Sequence, residues 1–146
     1  MNLIGAIGPG PLAIDSAIFI YVIEQHPRYL PLLKPNFLAV DRGLLSAVTS
    51  VVTLLETLIV PYRNGDRQLA GQYEAILANA RGVTLVPIDP PLVRLAAEIR
   101  ATTSVKTADA LQLATALLSD CSAFLTNDHR LPQLRSIKVL QLEAYL

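Results

Sequence analysis

The sequence predicts a single α/β domain: a parallel sheet covered by helices on both faces. Three observations predict it. Short apolar runs alternate with longer segments of helical periodicity along all 146 residues. The short runs are apolar throughout rather than at every second position, which is the pattern of strands buried on both faces. Acidic residues stand where several of these runs stop, and open α/β folds bind their ligands at that edge of the sheet. One domain, 1–146, is expected, because no Gly/Ser-rich or Pro-rich stretch is long enough to be a linker.

The elements follow in order. Leu12 to Asp15 is an apolar run after a Gly-Pro-Gly-Pro stretch, and AIFIYVIEQ continues at helix length to a stop before Pro27. PLLKPNFLAVDRG is expected to be helical after Pro35 and to end at Gly43, with LLSAV following as a buried strand. SVVTLLETLIVPY reads as a helix that stops near Asn64-Gly65. A further helix spans Arg67 to Ala80, where Leu69, Tyr73, Ile76 and Leu77 share one face. VTLVPI is a strand, PLVRLAAEIRATT and TADALQLATALL are helices, and AFLT and IKVLQL are strands. No internal repeat or low-complexity tract interrupts them.

Composition bounds the function. Hydrophobic residues make up 52% of the chain and charged residues 16%, which supplies a core and argues against disorder. Lys+Arg and Asp+Glu are 12 each, so no global positive field gathers nucleic acid. If four acids are committed to one pocket, basic residues outnumber acids on the remaining surface and that objection weakens. The single Cys121 permits no internal disulfide, which suits a reducing compartment, and a cytoplasmic location is expected. The apolar N-terminus has no Lys or Arg before Arg28 and does not read as a signal peptide. The run Leu44 to Val60 contains Glu56 and several hydroxyl residues and is shorter than the roughly 20 apolar residues of a membrane span.

Four acids carry the chemistry. Asp15 ends the first strand, Asp128 follows AFLTN, Asp109 lies in the first turn of the TADALQLATALL helix, and Glu56 lies inside the helix after the second strand. Helices after parallel strands begin at the carboxyl edge, so all four are expected to converge there. Each also has a plainer reading. Asp15 could be an N-cap, worth about 1 kcal/mol; Asp109 could serve the helix dipole behind a Thr107 cap; Thr53 and Glu56 match a capping box, and Asp128 suits a turn. Glu56 sits in a strongly apolar helix, where an unpaired buried charge is costly.

Converging carboxylates call for a cation, since two charges about 4 Å apart repel by about 4 kcal/mol at an effective dielectric near 20. Mg²⁺ or Mn²⁺ matches an all-oxygen set, whereas zinc wants His or Cys. His26, His129 and Cys121 suggest no such set; His26 reads as an exposed loop residue and His129 as a candidate substrate contact. The chemistry of such a site is phosphodiester hydrolysis without a protein nucleophile.

At this point IDSAIFIYVIE, SVVTLLETLIVPYRNGD, AAEIRATTSVKTADALQLATALLSD and CSAFLTND closely resemble PIN-domain ribonucleases, in particular VapC-type toxins of toxin–antitoxin pairs. The likeness spans about Leu12 to Leu142. It places the family's four acids at Asp15, Glu56, Asp109 and Asp128, with Thr126 and Ser16 supporting them. Ala17 departs from the Asn or Ser common there, which removes a polar contact near the metal. The resemblance implies a three-layer fold with a mostly parallel five-stranded sheet, an Mg²⁺- or Mn²⁺-dependent endoribonuclease, a homodimer and a small antitoxin that occludes the site. Arg63, Arg67, Lys106 and Arg130 adjoin the motif segments and are candidate phosphate contacts. With few aromatics, no stacking platform for bases is evident.

Other classes fit less well. An aspartyl-phosphate phosphatase would show a second Asp two residues after Asp15, where this chain has Ala17. A phospho-receiver switch wants an adjacent acid pair, and the chain has none. A catalytically weak PIN scaffold that binds RNA or a protein partner, or a housekeeping PIN nuclease, remains the alternative. Dimerisation is expected through an apolar surface, with Tyr29 to Val40 and Leu92 to Thr103 as candidate segments.

Overall fold

The computed structural model describes residues 1–146. Five parallel strands form one sheet in the order β3-β2-β1-β4-β5. They are β1 (Leu12–Ile14), β2 (Ala47–Ser50), β3 (Val83–Val86), β4 (Ala123–Thr126) and β5 (Lys138–Gln141). Seven helices connect them: α1 (Leu3–Ile7), α2 (Ser16–Ile23), α3 (Leu30–Asp41), α4 (Val51–Arg63), α5 (Arg67–Asn79), α6 (Pro90–Thr102) and α7 (Thr107–Leu118). The expected α/β, three-layer architecture stands.

Strand periodicity divides the core in two. Leu12 and Ile14 of β1 and Leu125 of β4 point to a core shared with Ile7, Phe19, Leu33 and Leu77. Ala13 and Phe124, the alternate residues, point to the other face and pack with Leu92, Ile99 and Leu113 of α6 and α7. Both faces of the central strands are therefore buried, which explains their uninterrupted apolar sequence. The chain runs outward from β1 through β2 to β3, then crosses back to β4 on the other side of β1. That reversal leaves a crevice between β1 and β4 at the carboxyl edge.

Several expected boundaries shift. Helix α1 was not anticipated; Asn2 caps it through Gly5 N at 2.9 Å, and five residues flanked by Gly8 and Pro9 show no periodicity to read. Helix α3 starts at Leu30 rather than after Pro35, because Pro31 suits a first turn and Pro35 meets only that turn. Strand β2 begins three residues later than expected. Leu44 is exposed, and it is Ala47 that pairs with Leu12 and Val83. Strand β3 stops before Pro87, which has no N–H to give the ladder. Gly82, at φ 82°, lies under α3; a Cβ there would come within 2.6 Å of the Val40 carbonyl oxygen.

The exposed large apolar side chains are unevenly shared among the helices. The candidate segments on α3 and α6 expose a single large apolar side chain each, Leu38 and Val93. Helix α4 exposes Leu55, Ile59, Val60 and Tyr62. No helix is long and apolar enough to cross a membrane, and the Leu44 to Val60 run is divided between β2 and α4.

Cys121 follows α7 and is 6% exposed, and burial, aided by the Asp120 carboxylate, pushes its thiol up to about 11. Only the thiolate reacts, so the folded protein should resist a disulfide reagent at pH 8 while the urea-unfolded chain labels fully. Equal labelling rates in the two states would contradict the burial described.

Candidate active site

The four predicted acids line one cleft of about 560 Å³ with Ser16, Ala17, Ile20, Tyr21, Asn127 and Arg130. The cleft stands over the β1/β4 switch point. Asp15 leaves β1 and caps α2, its Oδ1 accepting from Ser16 N at 2.8 Å. Across the crevice, the Thr126 hydroxyl at the end of β4 donates to Asp15 Oδ2 at 2.7 Å. The N-cap reading of Asp15 holds, and the same carboxylate lines the cleft. Thr126 is fully buried, in the supporting position expected of it.

The other acids differ from expectation in detail. Glu56 is not buried; it stands on the exposed side of α4 and accepts from the Ser16 hydroxyl at 2.6 Å. The capping-box reading of Thr53 and Glu56 fails because Ser50, not Thr53, caps α4, accepting from Val52 N at 3.0 Å. Asp109 lies in the first turn of α7 as expected, but the N-cap is Lys106, without a side-chain bond, and Thr107 instead accepts from Arg100 Nη1 at 2.9 Å. Asp128 is gripped by Arg130, whose backbone N and Nε lie 3.0 Å from Oδ1 and whose Nη2 lies 2.9 Å from Oδ2.

These surroundings set the protonation. Burial raises Asp15 above the ordinary carboxylate value; the Thr126 and Ser16 hydrogen bonds oppose it, and Glu56 and Asp128 add to it. Burial likewise raises Asp109, followed by repulsion from Asp15 and Asp128, with Arg130 and Lys106 pulling the other way. The Arg130 hydrogen bonds lower Asp128. Two acids held in unfavourable ionisation and one acid paired with the exposed guanidinium of Arg130 describe a cleft with an excess of negative charge.

The donor set, all carboxylate and hydroxyl oxygen, suits a hard cation such as Mg²⁺ or Mn²⁺. No three His, Cys, Asp or Glu side chains stand in a metal-holding arrangement in this conformation. The expectation that the acids converge on one cleft is met, while that of ready-made ligation is not, because Asp128 is turned onto Arg130 and Glu56 onto Ser16. A cation shared by all four acids would need Asp128 to turn away from Arg130.

Of the four basic candidates, Arg130 lines the cleft, and Lys106 lines an adjoining cavity of about 230 Å³ that shares Asp109 and Arg130 with it. Arg63 is two helical turns beyond Glu56 on the same face of α4, about 10 Å along the axis. Arg67 lines a separate cavity with Tyr62 and Asp66 at the α4–α5 turn. His129 pairs with Glu143 at 3.0 Å and is not among the cleft residues. His26 is no free loop residue: its ring packs against Tyr21 and Tyr29, and Tyr21 walls the cleft.

Sequence reading missed a buried polar layer under the acids. Thr49, Thr53 and Gln112 are almost completely inaccessible, and with Ser16 they connect β2, α4, α7 and α2 by hydrogen bonds. A signal did exist: Gln112 lies three residues after Asp109 and Thr53 three before Glu56, each one helical turn from an acid.

With this geometry in view, a family model described as PIN domain matches residues 12–137. The chain belongs to the PIN-domain family. Solved structures share its fold. VapBC2 from Rickettsia felis, bound to a promoter DNA fragment, is 13% identical with a TM-score of 0.69 over 89% of this chain and 97% of that one. VapC20 from Mycobacterium tuberculosis, described as a sarcin–ricin-loop-cleaving toxin, is 16% identical with a TM-score of 0.64, covering 77% and 86%. FitAcB from Neisseria gonorrhoeae is 16% identical with a TM-score of 0.61, covering 90% and 98%. A search of curated proteins finds no match.

The raised Asp109 carboxyl of this PIN domain has a consequence for stability. An acid whose folded value lies above its unfolded one costs stability when ionised, fully above the folded value and not at all below the unfolded one. Asp109→Asn should therefore melt higher than wild type in EDTA at neutral pH. Solvent screening limits the gain to about 1 kcal/mol, or about 2–4 °C. The gain should shrink as pH falls toward the ordinary carboxylate value of 3.8. A helix-dipole role alone would instead lower the melting temperature, by about 0.3–1 kcal/mol. Melting curves across pH in EDTA separate the two.

Proposed function

We propose that the cleft hydrolyses RNA phosphodiester bonds with Mg²⁺ or Mn²⁺, and that the protein is the toxin of a toxin–antitoxin pair. The observation that carries this reading is the assembly of Asp15, Glu56, Asp109 and Asp128, from four separate segments of a PIN domain, around one cleft. Asp15 and Asp109 would hold the cation, with Glu56 and a rotated Asp128 completing the set. When bound, such an ion polarises a phosphoryl oxygen, lowers the pKa of water and stabilises charge on the leaving oxygen.

The chain's own residues prepare that chemistry. Thr126 and the Ser16 N–H fix the two oxygens of Asp15, so this carboxylate cannot rotate freely. The Ser16 hydroxyl hydrogen is given to Glu56, which leaves the hydroxyl orienting an acid rather than attacking a phosphorus. Arg130, once released from Asp128, is placed with Lys106 to meet a phosphate at the cleft mouth.

RNA as substrate is supported by the resemblance to VapC-type ribonucleases and by the sarcin–ricin-loop activity named for the Mycobacterium neighbour. An antitoxin partner is supported by neighbours that are toxin–antitoxin assemblies. The exposed apolar side chains of α4, on the helix that carries Glu56, offer a surface where a small protein could cover the cleft. A homodimer is part of the same reading, supported by the resemblance and by the 52% hydrophobic content of a small chain.

Purified protein should cut single-stranded RNA in Mg²⁺ and not in EDTA. Asp109→Asn should lose about 100-fold or more, the upper range for changes around a metal site. Equal cutting in EDTA would remove the metal from the mechanism, and full activity in the variant would remove Asp109 from the site. Binding of RNA without cutting would favour the scaffold alternative. Sedimentation at tens of micromolar should show a dimer; a monomer at that concentration would contradict the assembly proposed.

A further inference from the structure

The polar layer beneath the acids is ordered in one direction only. The Thr49 hydroxyl lies 2.8 Å from the Ile14 carbonyl oxygen, which can only accept, so Thr49 donates there. Thr53, 2.7 Å from Thr49, must then be the donor to it. The Ser16 hydroxyl is 2.6 Å from a Glu56 carboxylate oxygen and gives its one hydrogen to that acceptor; its 3.4 Å contact with Thr53 is much the weaker. Both hydroxyl hydrogens that could have faced Gln112 are thus committed elsewhere. The Gln112 atom 2.6 Å from Thr53 Oγ1 and 3.4 Å from Ser16 Oγ must be its NH₂ group, with one hydrogen for each oxygen.

We infer that Gln112, 3% exposed in the middle of α7, is a positioning residue: its short bond to Thr53 Oγ1, with a weaker one to Ser16 Oγ, occupies the competing acceptor and keeps the Ser16 hydroxyl a donor to Glu56. Its own contacts are with Thr53 and Ser16, so it acts on Glu56 through another side chain. Nothing else in the layer can play this part, because each hydroxyl has a single hydrogen and each is already spent on the next acceptor. Without the amide, the oxygens of Ser16 and Thr53 are left facing apolar α7. Ser16 can then turn its hydrogen to Thr53, 3.4 Å away, and Glu56 loses its anchor. The role assigned to Glu56 in catalysis rests on the proposed nuclease activity; the hydrogen-bond coupling does not.

The test is therefore run first without metal. Gln112→Met keeps the volume and removes both donors. In EDTA, Gln112→Met and Glu56→Ala should be non-additive by about threefold to tenfold in the unfolding constant, the scale of coupling within one network. The coupling should vanish when both are made in a Ser16→Ala background. Additive effects, or coupling that survives loss of Ser16, would overturn the inference and leave Gln112 a filler of the core. Should Gln112→Met not fold, the side-chain amide resonances of Gln112 decide in its place. They should move on Glu56→Ala and stay fixed when that change is added to Ser16→Ala; no movement in the first case overturns the inference.

With Mg²⁺ and RNA, folded Gln112→Met should lose about fivefold or more in kcat with KM little changed, one hydrogen bond's worth. Unchanged kcat overturns the positioning role even where the EDTA coupling is found. A wild-type protein that shows the coupling but cuts no RNA would sink the nuclease reading and leave the coupling in place.

Discussion

The structure is organised around the desolvation of two aspartates. Asp15 and Asp109 sit where the sheet's switch point and the first turn of α7 take them partly out of water, and each is disfavoured as an anion there. Everything around them answers that cost. A strand-end hydroxyl and a helix-end N–H hold Asp15, Lys106 and Arg130 lie near Asp109, and Arg130 neutralises the neighbouring Asp128. Asp15 offsets part of that cost as the N-cap of α2, whereas Asp109 makes no capping hydrogen bond. The cost these acids impose on the fold is of the kind that a bound cation would relieve.

The parallel sheet makes this arrangement possible with short strands. Parallel pairing sends every strand's carboxyl end to one edge, and reversal of strand order on either side of β1 opens a crevice there. The two helices that contribute acids away from a strand end, α4 and α7, are held to one another by Gln112 and Thr53 rather than by apolar contact at that level. A buried polar link of this kind adds less to stability than a hydrophobic pair would, but it admits only one arrangement of its donors.

How far the sequence could be read divides along the same physical line. Asp15 and Asp128 were legible because each ends a short apolar run, and Asp109 because it opens a helix of clear period. Their convergence followed from topology alone. The exposure of Glu56 was not legible: α4 is apolar on most sides, and periodicity cannot say which apolar side faces the core and which faces solvent. Thr49, Thr53 and Gln112 were passed over because a hydroxyl or amide in an apolar helix looks the same whether it is buried in a network or bonded back to its own turn. The register of β2 was misjudged because LLSAV and AVTS are both plausible strands, and only pairing with Leu12 chooses between them. The grip of Arg130 on Asp128 depends on a local turn two residues long, below the reach of any pattern.

The crossing from β3 back to β4 has a consequence for the time at which the cleft is complete. Asp15 is translated early, but the hydroxyl that fixes it belongs to Thr126, and Asp128 lies beyond that. β4 must dock against β1 before the cleft has its second wall. A growing chain that has emerged only as far as β3 has one wall and two of the four acids. The cleft is therefore a late product of synthesis, and its two walls meet only after β4 has emerged and paired with β1.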